Sequence, residues 1–205
     1  MKSLVLILSL VLISLNGFTQ QDSLLLSLQN DTANKQSLLP ERMVFTQRLF
    51  WGENGLYRKL GWAPLTTEHR EKELQLRRKM LVTHQVLGFV TLGEMIAQGI
   101  VGAKLYNGDL SLHSTHEGLA SAVNITYSLT ALMALTAPPP LLNRDKGITS
   151  IRLHKWLAVA HMTGMIATNI LAGQIENHPN LKPYHRAAAY GTFATFAAAV
   201  IVIKF

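Results

Sequence analysis

The chain contains no cysteine. That excludes disulfides, thiolate metal ligands, iron–sulfur clusters and covalent haem attachment through Cys-x-x-Cys-His. It is also poor in charge, with 15% Asp, Glu, Lys and Arg in 205 residues, against about 25% in an ordinary soluble chain. The shortage is uneven. Residues 80–103 hold one formal charge, Glu94, and residues 118–143, 156–175 and 187–203 hold none. There is no Gly-rich phosphate loop, and no internal repeat is evident beyond a helix–loop rhythm.

Each uncharged run is close to the roughly 20 residues that cross about 30 Å of hydrocarbon, the last being near the short limit. A core helix of a soluble protein would keep a polar face, and these runs have almost none. The expected fold class is therefore all-α: an integral membrane four-helix bundle with an N-terminal signal-like segment and a short extramembrane or interfacial region. The expected divisions are 1–20, a signal peptide or anchor; 21–79, extramembrane or interfacial; and 80–205, the four-helix transmembrane domain. The connections between runs, such as "KLYNGDLSLHST" and "ENHPNLKPY", are short and rich in Asn, Gly or Pro, so consecutive helices should be antiparallel neighbours.

"MKSLVLILSLVLISLNGFTQ" has a basic start, an apolar stretch of signal length and a polar exit. No clean A-x-A site follows, which leaves an uncleaved anchor open. In "RMVFTQRLFWGENGLYRKLGWAPL", Phe45, Phe50, Trp51, Tyr57 and Trp62 alternate with cations. That mixture suits either an interfacial helix and turn or a small cap packed on the bundle. "TTEHREKELQLRRKM" begins at a Thr cap, is built from good helix formers, and should run straight into the first span.

The formal charge of +7 lies mostly in loops beside the apolar runs, where Lys and Arg orient a chain and meet anionic headgroups. Membrane lipid is the expected partner and nucleic acid is not. The topology signals conflict. A signal peptide puts residues 21–79 outside the cytoplasm of a bacterial inner membrane, whereas Arg70, Lys72, Arg77, Arg78, Lys79, Arg144, Lys146 and Arg152 on that side argue for the inverse. The signal is preferred here.

What the spans do contain is histidine. Seven of the eight histidines lie in or beside them: His84 at the first, His113 and His116 before the second, His154 and His161 in the third, His178 and His185 before or at the fourth. With alternating helix directions, His84 should face His154 or His161 at one end, and His116 should face His185 at the other. Two imidazole pairs, one per leaflet, suit bis-histidine b-type haem, whose iron takes one neutral imidazole on each face. Helical spacing from His84 gives Gly88, Thr91, Met95, Gln98 and Gly102, and from His185 gives Ala188, Ala189, Thr192 and Ala199, small side chains that suit a flat macrocycle. Arg77, Arg78 and Lys155 at one end, with Lys182 and Arg186 at the other, suit propionates at the water boundary. Small residues also serve plain close packing, and histidines at helix ends are commonly solvated. Imidazole or carboxylate deep in hydrocarbon is costly and usually functional, which singles out His161 and Glu94. Zinc would want a compact cluster with carboxylate help.

These segments resemble the core of the cytochrome b561 family over roughly residues 80–205. "HQVLGFVTLGEMIAQG" is similar to that family's first core helix, "LHSTHEG" to its closely spaced histidine pair, "RLHKW" to its Leu-His-x-Trp start, and "KPYHRAAAYG" to the opening of its last core helix. The resemblance implies two haem b groups, iron ligands His84 with His154 and His116 with His185, and transmembrane electron transfer by an oxidoreductase or electron carrier. A small molecule or quinol would be donor or acceptor. His161 has no counterpart and stands as a rival ligand or proton-handling neighbour, and His113 is an alternative to His116. No match to the family's ascorbate-contacting residues is found. The competing readings are a cofactor-free structural or assembly membrane protein, and a quinol-linked cytochrome b subunit docking a periplasmic redox protein through residues 21–79.

Overall fold

The computed structural model describes residues 38–141 and 149–204. The signal-like segment 1–20, the following residues up to 37, and the loop cations Arg144 and Lys146 lie outside the described residues. Among the described residues all regular structure is helical: α1 (Phe45–Trp51), α2 (Leu56–Lys59), α3 (Thr67–Tyr106), α4 (His113–Thr136), α5 (Ser150–Ala172) and α6 (Lys182–Lys204), with 3-10 turns at Leu110–Leu112 and Pro179–Leu181. Three helical segments, Thr67–Tyr106, Leu110–Thr136 and Pro179–Ile203, are long and apolar enough to cross a membrane, as in an integral membrane protein. Helix α5 is 23 residues long, but His161, Thr163, Thr168 and Asn169 dilute its apolar content.

Helix α3 starts where Thr66 accepts a hydrogen bond from the His69 backbone N–H at 3.3 Å, the N-cap expected from the sequence. Its 40 residues extend about 60 Å, twice the thickness of hydrocarbon, so its first turns project about 20 Å beyond the apolar stretch. The chain reverses after α3 at Gly108, whose φ of 106° lies in a region that side chains with a Cβ disfavour.

Helices α3 and α4 form one antiparallel hairpin, and α5 and α6 a second, each closely packed along its length. The approach of α5 to α6 depends on Gly164, because a Cβ there would collide with the Thr192 hydroxyl. Between the hairpins contact is sparser and runs mainly through α3 and α6. The apolar core lies midway along the bundle, where Met95, Val123, Tyr127, Met165 and Phe196 meet. Val90, Ile100, Ile125, Ile166 and Ile201 remain exposed on the outer faces, as hydrocarbon-facing positions do.

Residues 38–66 form a cap on one end of the bundle, the second of the two arrangements that the aromatic and basic stretch allowed. Its chemistry follows from Pro138, Pro139 and Pro140 after α4. Prolines have no N–H, so the last carbonyls of α4 and of the proline run need other donors. The Trp51 indole donates to Thr136 O at 2.9 Å, Arg77 to Pro138 O at 2.6 Å, and Arg70 to Pro139 O at 3.2 Å. Arg70 also reaches Leu38 O at 2.8 Å. Glu73 is buried between Arg58 and Arg70 and pairs with both, which neutralises part of the charge that capping brings inside.

Candidate functional site

Each hairpin carries one histidine near either end, and three of the four rings are oriented by a backbone carbonyl on the other helix of the same hairpin. His84 Nδ1 donates to Thr130 O at 2.8 Å, His154 Nδ1 to Ala199 O at 2.9 Å, and His185 Nδ1 to Thr168 O at 3.0 Å. A carbonyl only accepts, so Nδ1 carries the proton in these three rings. Nε2 then keeps its lone pair, the tautomer a metal ligand needs. The rings face one another across the space between hairpins. His84 and His154 have centroids 6.1 Å apart, and His116 and His185 6.4 Å apart.

His116 is held differently. Its Nδ1 is buried without a hydrogen-bond partner, and its Nε2 lies 3.3 Å from the Gln98 amide nitrogen. The ring rests on Gly102, where a Cβ would stand 2.8 Å from its Cε1. Glycine is required there by the approach of the imidazole, not by backbone conformation.

The separation of both pairs matches that of two imidazoles held on one haem iron. Two metal–imidazole bonds of about 2 Å, plus roughly one ring width, separate opposed ring centroids by about 6 Å, close to both observed values. The donor set matters as much. Among the described residues no three or more His, Cys, Asp or Glu side chains gather to hold a metal ion. Two imidazoles leave a bare zinc half-coordinated, whereas a porphyrin brings four nitrogens and needs only two axial donors.

The other sequence candidates fall elsewhere. His113 is exposed and lies 3.5 Å from Glu117 on its own helix, so it does not oppose His185. His161 is buried at mid-bundle, with Nδ1 2.7 Å from the Tyr127 hydroxyl and its ring against Phe196 at 5.1 Å. It therefore does not face His84. Arg77 is engaged in the cap. Arg78 lines a shallow groove with Gln75, Lys79, Val82 and Thr83, close to His84. Lys155 is exposed next to His154, and the Arg186 guanidinium lies over the Tyr106 ring at 4.5 Å. Glu94 accepts a hydrogen bond from Thr126 at 2.5 Å, inside its own hairpin.

Comparison with protein-family models, with curated proteins and with solved structures finds no match to this chain. The buried positions of the two hairpins correct the expectation that the chain has no internal repeat. His-x2-Leu-x7-Met-Ile-Ala-x2-Ile occurs at 84–100 and again at 154–170, and Leu-x3-His-x3-Ala-x5-Thr at 112–126 and again at 181–195. The buried positions match in the same register: Thr91 with His161, Met95 with Met165, Val123 with Thr192, Tyr127 with Phe196, and Thr130 with Ala199. The two hairpins are two copies of one unit. The repeat was hidden because most residues between the shared ones differ, and the longest shared run is Met-Ile-Ala. Applied to the sequence, it would have matched His84 with His154 and His116 with His185.

Proposed function

We propose that this protein is a four-span transmembrane electron carrier resembling the cytochrome b561 core, holding two b-type haems on His84 with His154 and on His116 with His185. The observation that carries the reading is the opposed ring geometry at both ends, with Nδ1 anchored on a backbone carbonyl in three of the four rings. When bound, haem would supply a one-electron couple. The chain does the rest. Thr130, Thr168 and Ala199 fix the tautomer and aim of their histidines. Gly102 leaves room for the His116 ring. The core of Met95, Val123, Tyr127, Met165 and Phe196 excludes water between the two sites. A histidine on each side of the group would hold it without leaving a place for oxygen, which would favour electron transfer. A quinol or small reduced carrier at one face and an acceptor at the other complete the scheme, in a bacterial inner membrane with residues 21–79 outside the cytoplasm.

The test is the visible spectrum of protein purified from cells supplied with iron, before and after dithionite, together with extracted haem per chain. Sharp reduced bands and two haems per chain are expected, and His84→Ala and His116→Ala should each remove one. A colourless full-length protein that folds and inserts would refute the reading and favour a cofactor-free structural role. Stable co-purification with a dehydrogenase or reductase would favour a subunit of a larger redox complex.

A further inference from the structure

The duplicated hairpin makes departures from the repeat informative. Had both copies kept the same core, the bundle would be symmetric about an axis running along the helices through both histidine pairs. The buried core breaks that symmetry most sharply at mid-bundle, where Tyr127 of the first hairpin meets His161 of the second and the matching residues are Phe196 and Thr91. The same side carries a second departure. Asn124 and Asn169 exchange amide hydrogen bonds at 2.9 and 3.0 Å, whereas the matching residues are Phe193 and Gly99.

Both links connect α4 to α5, which pack less closely than α3 and α6, the pair through which the hairpins mainly meet. There Arg186 also covers Tyr106. Direct packing therefore closes one side of the bundle, and long polar side chains bridge the other. The Tyr127–His161 bond is the buried one of the two bridges, at 2.7 Å between residues each only 8% exposed. A hydrogen bond between such groups is costly to break, because each would be left unpaired in an apolar surrounding. It therefore resists separation of the hairpins and rotation of α5 about its axis.

We propose that Tyr127 and His161 are positioning residues whose hydrogen bond clasps the two hairpins and sets the opening across which both histidine pairs face. The clasp itself depends only on the fold. Its consequence for two bound haems rests on the function proposed above. His161 is then neither a third ligand nor a spare imidazole. The second hairpin needs a histidine at this position because a threonine, as at Thr91, is too short to reach Tyr127.

The absence of cysteine makes the test direct. Spin labels at Ile125→Cys on α4 and Ile166→Cys on α5, both exposed positions, report the separation of the hairpins in full-length protein by pulsed electron resonance, with or without haem. Tyr127→Phe removes a single oxygen and leaves the packing, so it should shift the distance outward and broaden its distribution. His161→Leu should do the same, whereas His161→Gln, which keeps an acceptor in reach, should stay close to the parent. In haem-loaded protein Tyr127→Phe should also broaden the low-spin iron signals of both sites, which a local packing defect would not do. An unchanged distance distribution in both Tyr127→Phe and His161→Leu would overturn the clasp. Failure to bind haem, with the distance still responding, would overturn only the function.

Discussion

Gly102 offers the sharpest single-residue test of the second histidine pair. A methyl group there would stand 2.8 Å from Cε1 and 3.2 Å from Nδ1 of His116, whereas carbon atoms rest at about 3.5–4.0 Å. The imidazole in Gly102→Ala must therefore retreat by roughly 0.7–1 Å. Metal–ligand distances tolerate about 0.2 Å, so the displacement is several times what an axial bond accepts. His84 and His154, at the far end of the bundle, should be untouched. The expected outcome is loss of one haem of two, with the other keeping its reduced band and midpoint potential, measured by haem extraction and redox titration. Gly93→Ala is the control, because nothing lies within 4 Å of a Cβ at that position. It should keep both haems and gain up to about 1 kcal/mol of helix stability. If Gly102→Ala retains both haems with unchanged potentials, His116 is not an axial ligand. Equal loss at both sites would mean that the substitution loosens the bundle, and the steric argument would fail.

Two further predictions concern groups that the site depends on less directly. Glu73→Gln leaves Arg58 and Arg70 buried without their shared carboxylate, and breaking a buried pair costs about 3–5 kcal/mol. Thermal unfolding in detergent should show the cap melting at lower temperature, and an unchanged transition would mean that its carbonyl contacts suffice. The Gln98 amide touches His116 Nε2, the atom an iron would need, so Gln98→Ala should let the His116–His185 site fill at lower haem concentration. Equal or weaker filling of that site in a titration of haem-free protein would show that Gln98 supports the ring and does not compete for it.

Much of the fold was legible in the sequence because the controlling signals are local. Thr66 capping α3 is a short-range pattern, and the uncharged runs mark the long helices whatever packs against them. The assignment of His84 to His154 in place of His161 was not local. It depends on helix rotation, which places His161 inward against Tyr127 and Phe196 two turns from His154. His113 and His116 differ in the same way: three residues apart, one pairs with Glu117 at the surface and the other turns toward His185. The carbonyl anchors were not legible at all, since any residue supplies a backbone oxygen and only the partner helix decides which one the ring meets. The cap lay between these cases. Its aromatic and basic composition marked an interface, but the burial of Arg70 and Glu73 follows from the proline run, distant in sequence.

The duplicated hairpin also bears on how the sites come into being. Each anchoring bond lies within one hairpin, the first for His84 and the second for His154 and His185, so these rings can be oriented as soon as the two helices of their own unit pack. No hairpin holds two opposed rings, because both pairs cross from one hairpin to the other. Completion of either site thus requires the second hairpin to dock, and one docking event completes both. Preorganised rings reduce the ordering cost left to that event, and the Tyr127–His161 bond forms in the same step. Sites assembled this way should fill together, because the geometry that completes one also completes the other. A variant that weakens docking without touching a histidine should therefore lower occupancy at both ends in parallel, whereas a variant beside one ring, such as Gly102→Ala, should lower it at one end alone.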